Sequence, residues 1–344
     1  MKSFFRVLKT YLTLNKMKIV EIKRNITRFD LYKNIPVYIY DDYFTIGKIK
    51  YPIDGDEYVS VESDVLEKYK RGGNHLMYTN GDFKPIIEKY SQPTFFEENV
   101  WIEYSYLEDK NANVRFMEHG KEKLFSLKTS NGLHSPRYIK EQSVFLFNDP
   151  SQKHLLACSK NGDFLWQYTE EADDLKINWC CIPVADDVVV VISLYGARPK
   201  KIQGFNIRTG ERLWKIESEA KYEPDTFFMG EDKMLYGCRG YVIRPGIGVT
   251  KLNPFTGELE VSLINNEEVF DFMPWNVTMH DRQLYFVDNR RGNEIGVIDV
   301  DKKELIERMP LNIKKKVTIG APMVTDDKVY VFIRDLKELR VFEK

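Results

Sequence analysis

The chain is predicted to be an all-β protein, a seven-bladed β-propeller of four-stranded antiparallel blades. Three observations point there. A small or acidic turn followed by an apolar strand returns at Val59, Val100, Val144, Val189, Met234, Leu284 and Val329, in steps of 41, 44, 45, 45, 50 and 45 residues. Strand-type units at that period are the signature of a propeller. A hairpin turn recurs about 20 residues after each anchor, with glycine at Gly81, Gly120, Gly162, Gly210 and Gly257. Trp166 and Trp214 then sit at matched places after NGDFL and TGERL.

Each unit reads as four strands, a to d. Strand a ends in the acidic turn, as in CCIPVADD (180–187) and APMVTDD (321–327). Strand b follows, as in VVVVISLY (188–195), MLYGC (234–238), LYFVD (284–288) and VYVFI (329–333). Its unbroken apolar run fits a strand packed on both faces. Strand c leads into the glycine turn, where glycine takes a positive φ without steric cost, and strand d leaves it. In the sixth copy Lys303 stands at that place, so a different turn is expected. The matched indoles read as wedges between blades.

Anchoring this way, the last unit ends after strand c, at ELRVFEK. An early segment, Lys18–Arg24 or Val37–Asp41, is expected to supply its missing strand and so close the ring, which removes exposed edges. Residues 1–16 are an N-terminal extension and 17–344 one domain, with Met17 a possible start. SDVLEKYKR (63–71), with Asp64 and Glu67 in a capping pattern, is expected to form a short inserted helix.

Composition narrows the function classes. The net charge of −1 gives no global attraction to nucleic acid or acidic lipid. Arg6 and Lys9 interrupt the apolar residues at the amino terminus, and no apolar run reaches a membrane span. A cytoplasmic location is the expectation. Cys158, Cys180, Cys181 and Cys238 lack CxxC spacing and read as small core residues.

The chemistry is sparse. His75, His119, His134, His154 and His280 show no metal-site spacing. No nucleophile elbow, P-loop or HExxH is present. Acidic pairs such as Asp186–Asp187, Glu231–Asp232 and Asp326–Asp327 fall in a–b turns, where carboxylates cap the backbone. Asp54–Gly55–Asp56–Glu57 lacks the spaced ligands of a calcium loop. No catalytic group, metal or cofactor is expected.

Charge in the loops is more telling. The b–c loops carry Arg71, Lys153, Arg198, Lys200, Lys201, Arg239, Arg244, Arg290, Arg291 and Arg334, and the loop after 310 adds Lys314, Lys315 and Lys316. On the same expected face lie acidic d–a loops, TEEADDLK (169–176) and ESEAKYEPD (217–225). Two outcomes stand open: the two sets pair with each other, or the basic set docks an anionic partner. Arginine's planar fork suits carboxylate recognition. Tyr195 and Tyr241 interleave with these loops as contact anchors.

The stretch NIRTGERLW (206–214), with looser copies at 159–166 and 253–260, resembles the repeat of quinoprotein-like (PQQ-like repeat) propellers over roughly residues 75–310. That group holds quinone-dependent dehydrogenases and non-enzymatic relatives such as the outer-membrane assembly lipoprotein. In the dehydrogenases a vicinal disulfide lies against the quinone, and Cys180–Cys181 is such a pair. The enzymes are exported and usually longer, and here the pair falls on a predicted strand. The non-enzymatic branch is therefore the expectation. It implies a protein-binding propeller that docks an acidic patch of a partner on its loop face, for instance an inhibitor or immunity protein for a toxin. The residues expected to carry this are Arg71, Arg198, Lys200, Arg239, Arg244, Arg290, Arg291, Arg334, Tyr195 and Tyr241. The alternative is an enzyme, or a binder of a small anionic ligand, using the central channel.

Overall fold

The computed structural model describes residues 17–62, 65–70, 75–79, 81–87, 94–97, 100–106, 111–128, 133–178, 183–196, 198–218, 222–241, 244–272, 276–288, 294–313 and 317–344. They form eight antiparallel sheets, each built as four strands in meander order. Blade 1 runs from Arg28–Tyr32 to Ile49–Pro52, and blade 2 from Glu57–Glu62 to Asp82–Ile87. Blade 3 runs from Thr94–Glu97 to Lys121–Lys128, and blade 4 from His134–Ile139 to Phe164–Thr169. Blade 5 runs from Lys176–Ile177 to Arg212–Glu217, its first strand resuming at Val184–Ala185. Blade 6 runs from Phe228–Met229 to Leu259–Val269, and blade 7 from Val277–His280 to Glu304–Pro310. Blade 8 joins Met323–Val324, Lys328–Ile333 and Glu338–Glu343 to the early strand Lys18–Arg24.

The count of seven is therefore corrected to eight. The additional blade is 28–52, little more than half the length of the later repeats. Its strands are joined by tight turns at Lys33–Asn34, Asp41–Asp42 and Gly47–Lys48, with Lys33, Asn34 and Gly47 at positive φ. Those compact hairpins hid it from a search for a long repeat. Val37–Asp41 thus belongs largely to blade 1, while Lys18–Arg24 pairs with the C-terminal strand, from Lys18 opposite Glu343 to Arg24 opposite Glu338.

The helix expected at 63–71 is also corrected. Val65–Lys70 is a strand, paired with Glu57–Glu62 on one side and His75–Thr79 on the other. Val65 and Leu66 are both buried and feed different apolar clusters, one toward Trp101 and one toward Phe44. Two-sided burial of adjacent residues suits a strand, and it overrides the local helix preference. Val59 accordingly sits on a first strand, not a second.

The chain divides into two compact units, 30–217 and 1–29 with 218–344. Within the first, Phe145 and Phe147 pack toward blade 3 while Val144 and Leu146 pack toward blade 5. Within the second, Leu284 and Phe286 pack toward blade 6 while Tyr285 and Val287 pack toward blade 8. Strand b is apolar throughout because alternate side chains fill two different interfaces.

The TG turn couples to the aromatic wedge. Asn206 Oδ1 accepts from the Arg208 and Thr209 amides, each at 3.0 Å, and Asn253 repeats this with Phe255 and Thr256 at 2.9 and 3.3 Å. Asp299 plays the same part toward Asp301 and Lys302, and Lys303 takes φ 55. The sixth copy therefore keeps the turn, with an acid replacing asparagine and lysine bearing the strain.

Gly210 has φ 71, and a Cβ there would lie 2.4 Å from the Trp166 ring of the preceding blade. Gly162 stands in the same relation to Phe125, at 2.5 Å. The Trp166 indole is buried and donates to the Ile207 carbonyl at 2.8 Å. Gly162 and Gly210 therefore each seat an aromatic ring as well as a left-handed backbone. Gly120, at φ 78, faces open space. Urea unfolding will show Gly120→Ala costing about 1 kcal/mol, the backbone contribution alone. Gly210→Ala will cost about 2–4 kcal/mol, because overpacking against Trp166 adds to it.

Candidate partner-binding surface

The b–c hairpin of blade 5 presents the exposed basic group most fully. Strands Val188–Tyr195 and Arg198–Asn206 pair with Tyr195 opposite Arg198, and Gly196 at φ 58 helps turn the chain. Tyr195 is 53% exposed, Arg198 is exposed and Lys200 is half-buried. Tyr195 and Arg198 thus stand opposite each other on a hairpin anchored by the buried run Val188–Ser193.

The other expected residues divide. Arg244 and Arg334 are exposed at the b–c connections of blades 6 and 8. Arg71, Arg290 and Arg291 lie outside the described residues, as does the side chain of Tyr241. Arg239 is buried at 3% exposure, its guanidinium 3.4 Å from the Glu223 carbonyl. Burial pushes the Asp225 carboxyl up in pKa, and Arg239 opposes that rise. Arg239 thus faces inward onto the acidic 217–225 loop, and the structure does not place it on an exposed rim.

Self-pairing accounts for further cations. The Lys153 ammonium donates to the carbonyls of Ala172, Asp173 and Leu175 at 2.6, 3.0 and 2.6 Å. Lys201 pairs with Glu170 at 2.8 Å. Both reach into the acidic 169–176 loop. The Asp54–Glu57 loop is likewise committed, with Lys68 on Glu57 at 2.8 Å and Lys70 on Asp56 at 2.9 Å.

Glu170 is a site that sequence reasoning passed over as one acid among many. Its side chain is fully buried and accepts from Lys201 and Tyr168, each at 2.8 Å, and from Ser193 at 2.5 Å. Gln203 donates to the Tyr168 hydroxyl at 2.9 Å. Burial alone would raise the Glu170 pKa, but Lys201, Ser193 and Tyr168 more than offset it and hold the carboxyl at about 2. The only forecast available was a polar residue, Ser193, inside an otherwise apolar strand b.

A cleft of about 430 Å³ lies on blade 3 beside Glu103, Asn113, Arg115, Leu124 and Ser126. Its Arg115 is committed to Glu103 at 3.4 Å and Glu122 at 2.8 Å, so the cleft offers no spare cation to an anionic ligand. Cys158 and Cys238 are buried free thiols. Burial pushes Cys158 up to about 12 and Cys238 higher still, which makes both poor nucleophiles. The Cys180–Cys181 pair lies outside the described residues. Among the described residues no helix is long and apolar enough to cross a membrane.

No protein-family model matches the chain, and no curated protein matches it. Among solved structures it is similar to BamB from Moraxella catarrhalis, with a TM-score of 0.59 at 13% identity, covering 95% of this chain and 100% of that one. At that identity the likeness shows the β-propeller fold.

The buried carboxylate gives a pH test. Glu170 has a lower pKa folded than unfolded, so its stabilisation is complete above about pH 4.3, the unfolded value. It is lost as pH falls toward about 2. Urea unfolding across pH 7 to 2.5 will show Glu170→Gln less stable than wild type at neutrality. That gap, on the order of 3 kcal/mol, will close below about pH 4.

Proposed function

We propose that this chain is a non-enzymatic binding protein whose blade 5 hairpin docks an acidic patch on a protein partner. The single supporting observation is the exposed Tyr195 and Arg198, with half-buried Lys200, on a well-anchored hairpin, while Lys153 and Lys201 are already satisfied internally. Tyrosine and arginine are the residue types that dominate binding hot spots. An inhibitor that caps an enzyme's active site, as an immunity protein caps a toxin, is the concrete form of this function.

The test is partner capture from native lysate by the wild-type chain and by the triple variant Tyr195→Ala, Arg198→Glu, Lys200→Glu. The proposal expects at least a tenfold loss of capture in the variant, and capture by wild type that weakens with salt. Arg208→Glu, on the exposed c–d turn of the same blade, serves as the control and leaves capture intact. Undiminished capture by the triple variant would remove this hairpin from the interface.

A further inference from the structure

Three potential metal ligands from two adjacent blades converge at one point. His280 ends the first strand of blade 7, and Asp281 follows it in a two-residue turn where Asp281 and Arg282 have φ 47 and 58. Both central residues at positive φ make a type I′ turn, which holds His280 and Asp281 in a fixed relation. Asp326 lies in the corresponding turn of blade 8, between strands Met323–Val324 and Lys328–Ile333. The donor atoms of the three all fall within 4.8 Å of one another.

The imidazole supplies an independent observation. His280 Nε2 is sealed from solvent and has no hydrogen-bond partner. Yet Asp281 Oδ2 and Asp326 Oδ1 each stand 3.2 Å from it. Neither oxygen has the alignment of a hydrogen bond with the ring nitrogen, so both flank it. Two donors bound to zinc at about 2.0–2.1 Å and a tetrahedral angle apart are separated by about 3.3 Å. The two histidine–carboxylate spacings are those of ligand pairs around a shared cation. The exposed carboxylates of Asp281 and Asp326 leave the approach open to an ion and to a water on its remaining position.

We propose that His280, Asp281 and Asp326 form a binding site for a zinc-class divalent cation, which cross-links the first turns of blades 7 and 8. One imidazole and two carboxylates make a donor set that zinc accepts, with one position left to water. The charge balance agrees. One neighbouring cation is Lys344, whose ammonium lies over the Tyr285 ring at 5.3 Å and feels Asp281, Asp326 and Asp327. Three carboxylates beside two ammoniums, Lys344 and Lys328 (3.6 Å from Asp327), leave negative charge for a metal to neutralise. The site is independent of the blade 5 surface.

The experiment uses the full chain stripped with EDTA, then titrated with zinc chloride and, separately, with cobalt chloride. The proposal expects one equivalent of zinc bound, a rise in Tm, and visible cobalt bands of a low-symmetry nitrogen–oxygen site. His280→Ala abolishes the bands, and Asp326→Asn weakens zinc affinity at least tenfold. Asp326 is 95% exposed at its side chain, so that variant keeps the fold intact. No stoichiometric binding by wild type would overturn the proposal. So would binding that survives both substitutions, which would assign the metal to the cysteines instead.

Discussion

The second strands of blades 4 and 7 are buried on both faces, and the two faces belong to different neighbours. Val188–Ile192 and Leu284–Asp288 are buried at every position. Such a strand has no solvent side, so its sequence loses the alternation of an ordinary antiparallel strand. The remaining features follow from it. Trp166 of blade 4 reaches across to the Ile207 carbonyl of blade 5, and Gly210 leaves room for its ring. The last blade borrows Lys18–Arg24 because a sheet lacking its outer strand would leave one edge of Glu338–Glu343 unpaired.

Where an apolar strand meets its loop, polarity is introduced in a controlled way. Ser193 meets Glu170, and Asp288 Oδ1 accepts the Asp271 amide at 3.0 Å. Asp149 Oδ1 accepts the amides of Lys153 and His154 at 2.9 and 3.0 Å. Each carboxylate fixes a loop by charge-assisted bonds in a dry setting, where they are strong. Lys153 and Lys201 are likewise taken up by the acidic 169–176 loop. Arg198 at the blade 5 hairpin stands exposed apart from these pairings.

Much of this was legible in the sequence. VVVVISLY announced a buried strand, and TGERLW announced a glycine turn, although the indole that this turn seats is Trp166 of the preceding blade. Other parts were hidden for physical reasons. Blade 1 uses minimal hairpins, so it has no long period to detect. Val65–Lys70 carries helix-favouring residues, and only the sheet context makes it a strand. Arg239 looks like any loop arginine until the acidic loop folds over it. Glu170 is indistinguishable from Glu171 in sequence, although one is buried and the other exposed. His280 and Asp326 lie a repeat apart in sequence and meet only because equivalent turns of neighbouring blades are adjacent.

Double burial of the second strands is most directly tested by native-state hydrogen exchange resolved to individual amides. Amides of Val188–Ile192 and Leu284–Val287 will exchange most slowly, near the rate set by global unfolding, and those of the outer strands Arg212–Glu217 and Glu304–Pro310 much faster. Equal protection of inner and outer strands, or faster exchange in the inner ones, would contradict the account.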